Sequence, residues 1–130
     1  MKTSIFIFLL FFGLSIAAIA AIPENVTLRV GQEKRVAGGE LKVKMVAVTE
    51  DSRCPVGTTC VWAGNAKIKV QITGKRGSKI FEFNTTMGPK GDSLEGWSVM
   101  LDSLTPVPRA GHKTDTRSYI ATFTITRLQR

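Results

Sequence analysis

Histidine, cysteine and tyrosine are nearly missing from this chain, with one, two and one copies respectively in 130 residues. A Ser-His-Asp hydrolase needs a histidine base. The only candidate, His112, sits in a loop-like Pro-Arg-Ala-Gly-His-Lys segment, and no Gly-x-Ser-x-Gly nucleophile elbow accompanies it. Zinc prefers four nitrogen or sulfur ligands, which a single histidine and two cysteines do not supply. Copper would need His112 together with Met87 or Met100, and no two of these lie at a tight spacing. A glycine-rich phosphate cradle opening a helix is also missing, which leaves nucleotide binding without support. Carboxylates for a glycosidase exist at Asp51, Asp92, Glu95 and Asp102. Next to glycine and serine, however, such residues are ordinary turn formers. The expectation is a non-enzymatic protein with no cofactor and no metal.

Two cysteines allow one pairing. Cys54 and Cys60 enclose Pro55-Val56-Gly57-Thr58-Thr59, and oxidising export compartments favour a bridge between them. Closing so short a loop stabilises the fold by about 2.4 kcal/mol on the chain-entropy account. Thioredoxin-type redox chemistry would need Cys-x-x-Cys spacing, which does not occur.

The first twenty residues read as a secretory leader. Lys2 supplies a positive start, Ile5 to Ile16 is almost wholly apolar, and Ala18-Ile19-Ala20 offers the small residues of a cleavage site. A membrane anchor is the competing reading, but the apolar stretch is at the minimum span length. No cysteine stands at the cleavage region to take a lipid. The expected domain is therefore residues 21–130, secreted or, in a bacterium, periplasmic. Without Lys2 it carries seventeen Lys and Arg against ten Asp and Glu, a formal +7. That balance suits anionic surfaces, yet the charges are scattered, with no basic run longer than Lys34-Arg35 or Lys75-Arg76.

What remains is β pattern. Apolar residues alternate at Val26, Leu28 and Val30; at Leu41, Val43, Met45 and Ala47; at Ala66, Ile68, Val70 and Ile72; at Phe81 and Phe83; at Trp97, Val99 and Leu101; and at Tyr119, Ala121, Phe123 and Ile125. A weaker polar strand at Gln32–Ala37 suits an edge. Val46 and Val48 blur the third pattern, as a bulge or a second covered face would. Gly74 to Gly77 is a hairpin signal, Asn84 to Asp92 reads as a loop, and Thr105 to Thr116 is the longest exposed excursion. No stretch of residues 21–130 sustains a helical period. The expected fold is an all-β, single-domain antiparallel β-sandwich, with immunoglobulin-like topology one option and a small β-barrel the alternative. The local cysteine pair is not the long-range inter-sheet bridge of antibody domains.

The segment Asp51 to Gly64, DSRCPVGTTCVWAG, resembles a motif of small exported or lipoprotein-like bacterial proteins of uncharacterised function, Ser-Arg-Cys-Pro followed by Cys-x-Trp-Ala-Gly. The stretches Leu101 to Pro108 and Tyr119 to Arg127 are similar to the same group. The resemblance implies one compact exported domain and, the group being uncharacterised, carries over no catalytic residues.

The expected function is a secreted binding or structural module of unknown ligand, its partner an extracellular macromolecule or an anionic surface. Arg53, Thr58 and Thr59 are candidate contacts on the closed loop, with Trp62 as a core anchor beneath it. The alternative is a protease inhibitor or effector that offers Arg53 from the Cys54–Cys60 loop. Lys42, Lys44, Lys67 and Lys69, with Lys79, form a basic groove if their strands adjoin. Nucleic acid is not favoured, because aromatics do not interleave with these lysines. Asn25-Val26-Thr27 and Asn84-Thr85-Thr86 are N-glycosylation sequons for a eukaryotic source.

Overall fold

A computed structural model describes residues 22–129, together with Gly13 and Ser15. The expected leader, residues 1–20, lies outside the described residues apart from those two positions. Eight strands follow in order: β1 (Glu24–Arg29), β2 (Glu33–Val36), β3 (Leu41–Asp51), β4 (Ala66–Gly74), β5 (Gly77–Asn84), β6 (Gly91–Leu94), β7 (Trp97–Thr105) and β8 (Ile120–Arg127). One sheet runs β1-β8-β7-β6 and the other β2-β3-β4-β5, every pairing antiparallel. The chain is a β-sandwich and not a closed barrel. Its order is a meander that crosses between sheets at β1–β2 and β5–β6. This order is not immunoglobulin-like, since that fold places A, B, E and D together in one sheet through crossed connections.

The alternation read from the sequence fills the space between the sheets. Val43, Ile68, Val70, Ile72 and Phe83 from one sheet meet Leu28, Val99, Ala121, Phe123 and Ile125 from the other, all fully buried. Apart from Ala121, whose methyl buries little, each of these side chains stabilises the fold by about 1.5–3 kcal/mol through loss of water contact. Phe83 and Phe123 meet across the sheets with ring centroids 6.3 Å apart and planes at 59°, the tilted geometry that aromatic quadrupoles favour.

Three features escaped the sequence pattern. First, β3 carries register shifts between Met45 and Ala47 and between Val48 and Glu50, so bulges account for the blurred alternation at Val46 and Val48. Second, a shift in β7 between Leu101 and Ser103 lets Leu101 and Leu104, three residues apart, both face the core. Third, Gly91–Leu94 is a strand, although Gly91 and Asp92 fall in the expected Asn84 to Asp92 loop. It folds onto β7 through Glu95-Gly96, both at positive φ (50° and 83°), the mirror-image turn whose twist suits a hairpin.

Asn84 is not the loop residue that its sequon suggested. It ends β5 and is 5% exposed. Its Oδ1 accepts from Asn65 Nδ2 at 2.9 Å, and its own Nδ2 donates to Pro89 O at 3.1 Å. A glycan on that nitrogen would break both the corner and the packing. Asn25 is an exposed residue of β1. Peptide mapping of folded material secreted from a glycosylating host is therefore expected to find Asn84 unmodified; a glycan at Asn84 in that fraction would contradict the burial.

Candidate functional site

The two sheets are fastened by polar clamps at opposite ends of β3. At its start, Glu40 Oε2 accepts from Trp97 Nε1 at 2.7 Å and lies 3.6 Å from Arg127 Nη1, while Glu40 Oε1 is 3.8 Å from Lys75 Nζ. Arg127 stacks over Trp97, 5.3 Å from the ring centroid. A cleft of about 130 Å³ opens here, and Glu95 lines it. No local pattern marks this cluster, because its members come from four separate segments. Its charges are matched in number, two carboxylates against two cations, and Glu40 is engaged in holding the sheets together.

At the far end of β3 the arrangement is tighter. Asp51 Oδ1 accepts from Arg53 Nε at 2.9 Å, and Oδ2 accepts from Arg53 Nη2 at 2.8 Å and from Tyr119 OH at 2.7 Å. Arg53 then spends its remaining donors on the other sheet's exit: Nη1 to Leu104 O at 2.6 Å and Nη2 to Pro106 O at 2.8 Å. The paired side chains are 11% and 9% exposed, so this bidentate pair is shielded from water, and removing one partner would leave an uncompensated charge. Burial pushes the Asp51 carboxyl up. The hydrogen bonds from Arg53 and Tyr119 and the guanidinium charge outweigh that and leave it below its ordinary value. For Tyr119, burial and the Asp51 carboxylate both raise the phenol.

Onto this clamp the cysteine loop is built. Cys54 and Cys60 are joined with Cα atoms 5.8 Å apart, within the usual span. Cys54 N donates to Ala63 O at 3.0 Å, Ser52 N to Asn65 O at 2.7 Å, and the Asn65 side chain holds the backbone of Thr86 and Met87. Gly64 is required where it stands: its φ is +70°, and a Cβ would fall 1.9 Å from Ser52 O. The loop is also zipped to the β7–β8 connection. Val56 N donates to Pro108 O at 2.8 Å, and Ala110 N to Val56 O at 3.2 Å.

The candidate residues separate. Arg53 faces inward on the clamp, which removes it as the basic residue an inhibitor would offer. Thr58 and Thr59 are exposed, but the Thr58 hydroxyl turns back to Pro55 O at 2.8 Å. Lys42, Lys44, Lys67 and Lys69 do share the outer face of adjoining strands β3 and β4. Lys67 there lies 3.8 Å from Glu50 and 3.7 Å from Glu82. Lys69 stands opposite Glu82 and Lys44 opposite Glu33, so the face is partly neutralised. Lys79 is out of phase with it and sits over Phe81. The four named carboxylates do not converge: Asp51 is in the clamp, Asp92 accepts from Ser93 N, Glu95 is in a turn at the far cleft, and Asp102 accepts from Thr124.

Trp62 overturns its expected role. It is 65% exposed, its neighbour Val61 is 105% exposed, and Val56 and Val107 at the same end are 55% and 44% exposed. An aromatic beside a disulfide reads as core from composition, yet here the indole stands in water.

Comparison with protein families, with curated proteins and with solved structures finds no match. Among the described residues no helix is long and apolar enough to cross a membrane.

The clamp sets the pH response. Because Asp51 is held below its ordinary value, its contribution is present above the unfolded carboxylate range and is lost as pH falls through the folded pKa. Because Tyr119 is raised, its contribution is present below about pH 10 and is lost at higher pH. Urea titrations across pH are expected to show both limbs. Asp51→Asn should remove the Asp51 part of the acid limb and cost about 3 kcal/mol at neutral pH, and an unchanged profile would contradict the clamp. Gly64→Ala should cost about 2 kcal/mol or more, from backbone strain and the collision with Ser52, measured by the same titration; a neutral result would contradict the close approach.

Proposed function

We propose that this protein is an extracellular, non-enzymatic binding module whose contact surface is the Cys54–Cys60 end of the sandwich. The observation that carries the reading is the exposure of Val61 and Trp62 on a loop held by a disulfide, a buried ion pair and backbone bonds to a second loop. Apolar side chains left in water contribute nothing to folding, and grouped ones mark interaction sites. A loop already ordered loses little entropy when it engages a partner, and tryptophan is among the commonest anchors of such contacts. The disulfide and the resemblance to small exported bacterial proteins support a location outside the cell. The cluster of lysines on the outer face is the weaker alternative surface, since Glu33, Glu50 and Glu82 offset much of its charge.

Labelled protein incubated with intact cells of its source tests the reading. Saturable retention is expected, falling about tenfold or more in Trp62→Ala, as loss of a buried aromatic anchor does, and unchanged in Lys44→Ala. Because Trp62 is mostly exposed, its removal should leave the unfolding midpoint in place. Equal retention of wild type and Trp62→Ala would contradict the proposal.

A further inference from the structure

The end that carries Trp62 has a second character besides its apolar one. The β7–β8 connection bound to the cysteine loop holds Arg109, Lys113 and Arg117 against one acid, Asp115. It encloses a depression of about 240 Å³ lined by Val107, Arg109, His112 and Lys113 among others. Of the other charges at this end, Arg53 is engaged by Asp51, and Lys67 lies 3.8 Å from Glu50. The exposed charge here is therefore positive and sits directly beside exposed Val56 and Val107. Val61, at 105% exposure, protrudes with nothing packed over it.

We infer that this end seats on an anionic lipid surface, with Trp62 and Val61 at the headgroup level and Arg109 and Lys113 against lipid phosphates. The inference rests on the reading of this end as the contact surface and names what it contacts. Two features favour a bilayer over a protein groove. A protruding aliphatic and a neighbouring indole need a matching pocket in a protein partner, whereas an interface between hydrocarbon and headgroups accommodates them without one. Arg109 is bridged to Val56 on the same cysteine loop, which brings cations to this end for headgroup phosphates, and each Lys or Arg near such a surface strengthens attachment about fivefold, less at higher salt.

Vesicles of equal parts phosphatidylcholine and phosphatidylglycerol, against phosphatidylcholine alone, test this with the full domain. Sedimentation with the anionic vesicles only is expected, with tryptophan emission shifted to the blue and quenched by brominated lipid. Trp62→Ala should lose the quenching, since Trp97 is at the other end, and weaken binding roughly tenfold, the worth of one apolar side chain withdrawn from water. Arg109→Ala with Lys113→Ala should weaken it about twenty-five-fold. No sedimentation, or sedimentation as strong and as quenched without Trp62, overturns the inference. If vesicles bind nothing while cell retention stays dependent on Trp62 and is abolished by protease treatment of the cells, the partner is a protein. The lipid inference then falls and the contact surface stands. If neither depends on Trp62, both fall.

Discussion

A carboxylate that accepts three strong hydrogen bonds at the end of the longest strand is the constraint on which the rest of this molecule depends. Asp51 is placed at the sheet's exit by two bulges in β3, and it receives the forked guanidinium of Arg53 and the phenol of Tyr119. Arg53 is the only side chain in the cluster that reaches both the cysteine loop's own strand and the carbonyls of Leu104 and Pro106. A guanidinium can do this because its donors lie in one rigid plane; an ammonium has no such fork. Removing either partner would strand a charge away from water, so the pair fixes the loop's orientation as well as adding stability.

From that clamp the character of the exposed end follows. The disulfide closes a small loop, Gly64 lets the chain pass within van der Waals reach of Ser52, and Val56 is tied to the β7–β8 connection. With its polar groups already satisfied from within, the end turns side chains outward that the core does not use. The opposite end is built the other way. There Glu40 gathers Trp97, Arg127 and Lys75, and the second tryptophan is spent on joining the sheets. One indole is structural and the other is presented to solvent, a distinction set by the backbone rather than by residue type.

Much of this was legible in the chain, and the gaps have physical reasons. Period-two patterns identified the inward residues of β1, β3, β4, β5, β7 and β8, because burial on one face dictates every second side chain. The bridge was legible because two cysteines leave no choice of partner. At Val46 and Val48 the blurred alternation left a bulge and a second covered face both open; the β7 bulge was not legible, since an inserted residue changes register without changing composition, and β6 was hidden because Gly91-Asp92-Ser93-Leu94 is short and polar. The Asn84 sequon misled: its amide is consumed by Asn65 and Pro89, partners that only the folded corner brings near. The inward turn of Arg53 depends on carbonyls some fifty residues away, and no local pattern encodes it. Trp62 reads as core by residue type, whereas the fold leaves it 65% exposed, a placement that no local pattern encodes.

The central claim is that the fork of Arg53, not merely its charge, holds the exposed end in place. Amide hydrogen exchange of Arg53→Lys, which keeps the charge and loses the fork, tests it most directly. Protection at Cys54, Val56 and Ala110 should fall roughly tenfold or more, as when a local unit opens alone, while Val70 and Phe123 in the core keep theirs. Unchanged protection at those three amides would contradict the claim, as would an equal loss throughout the domain.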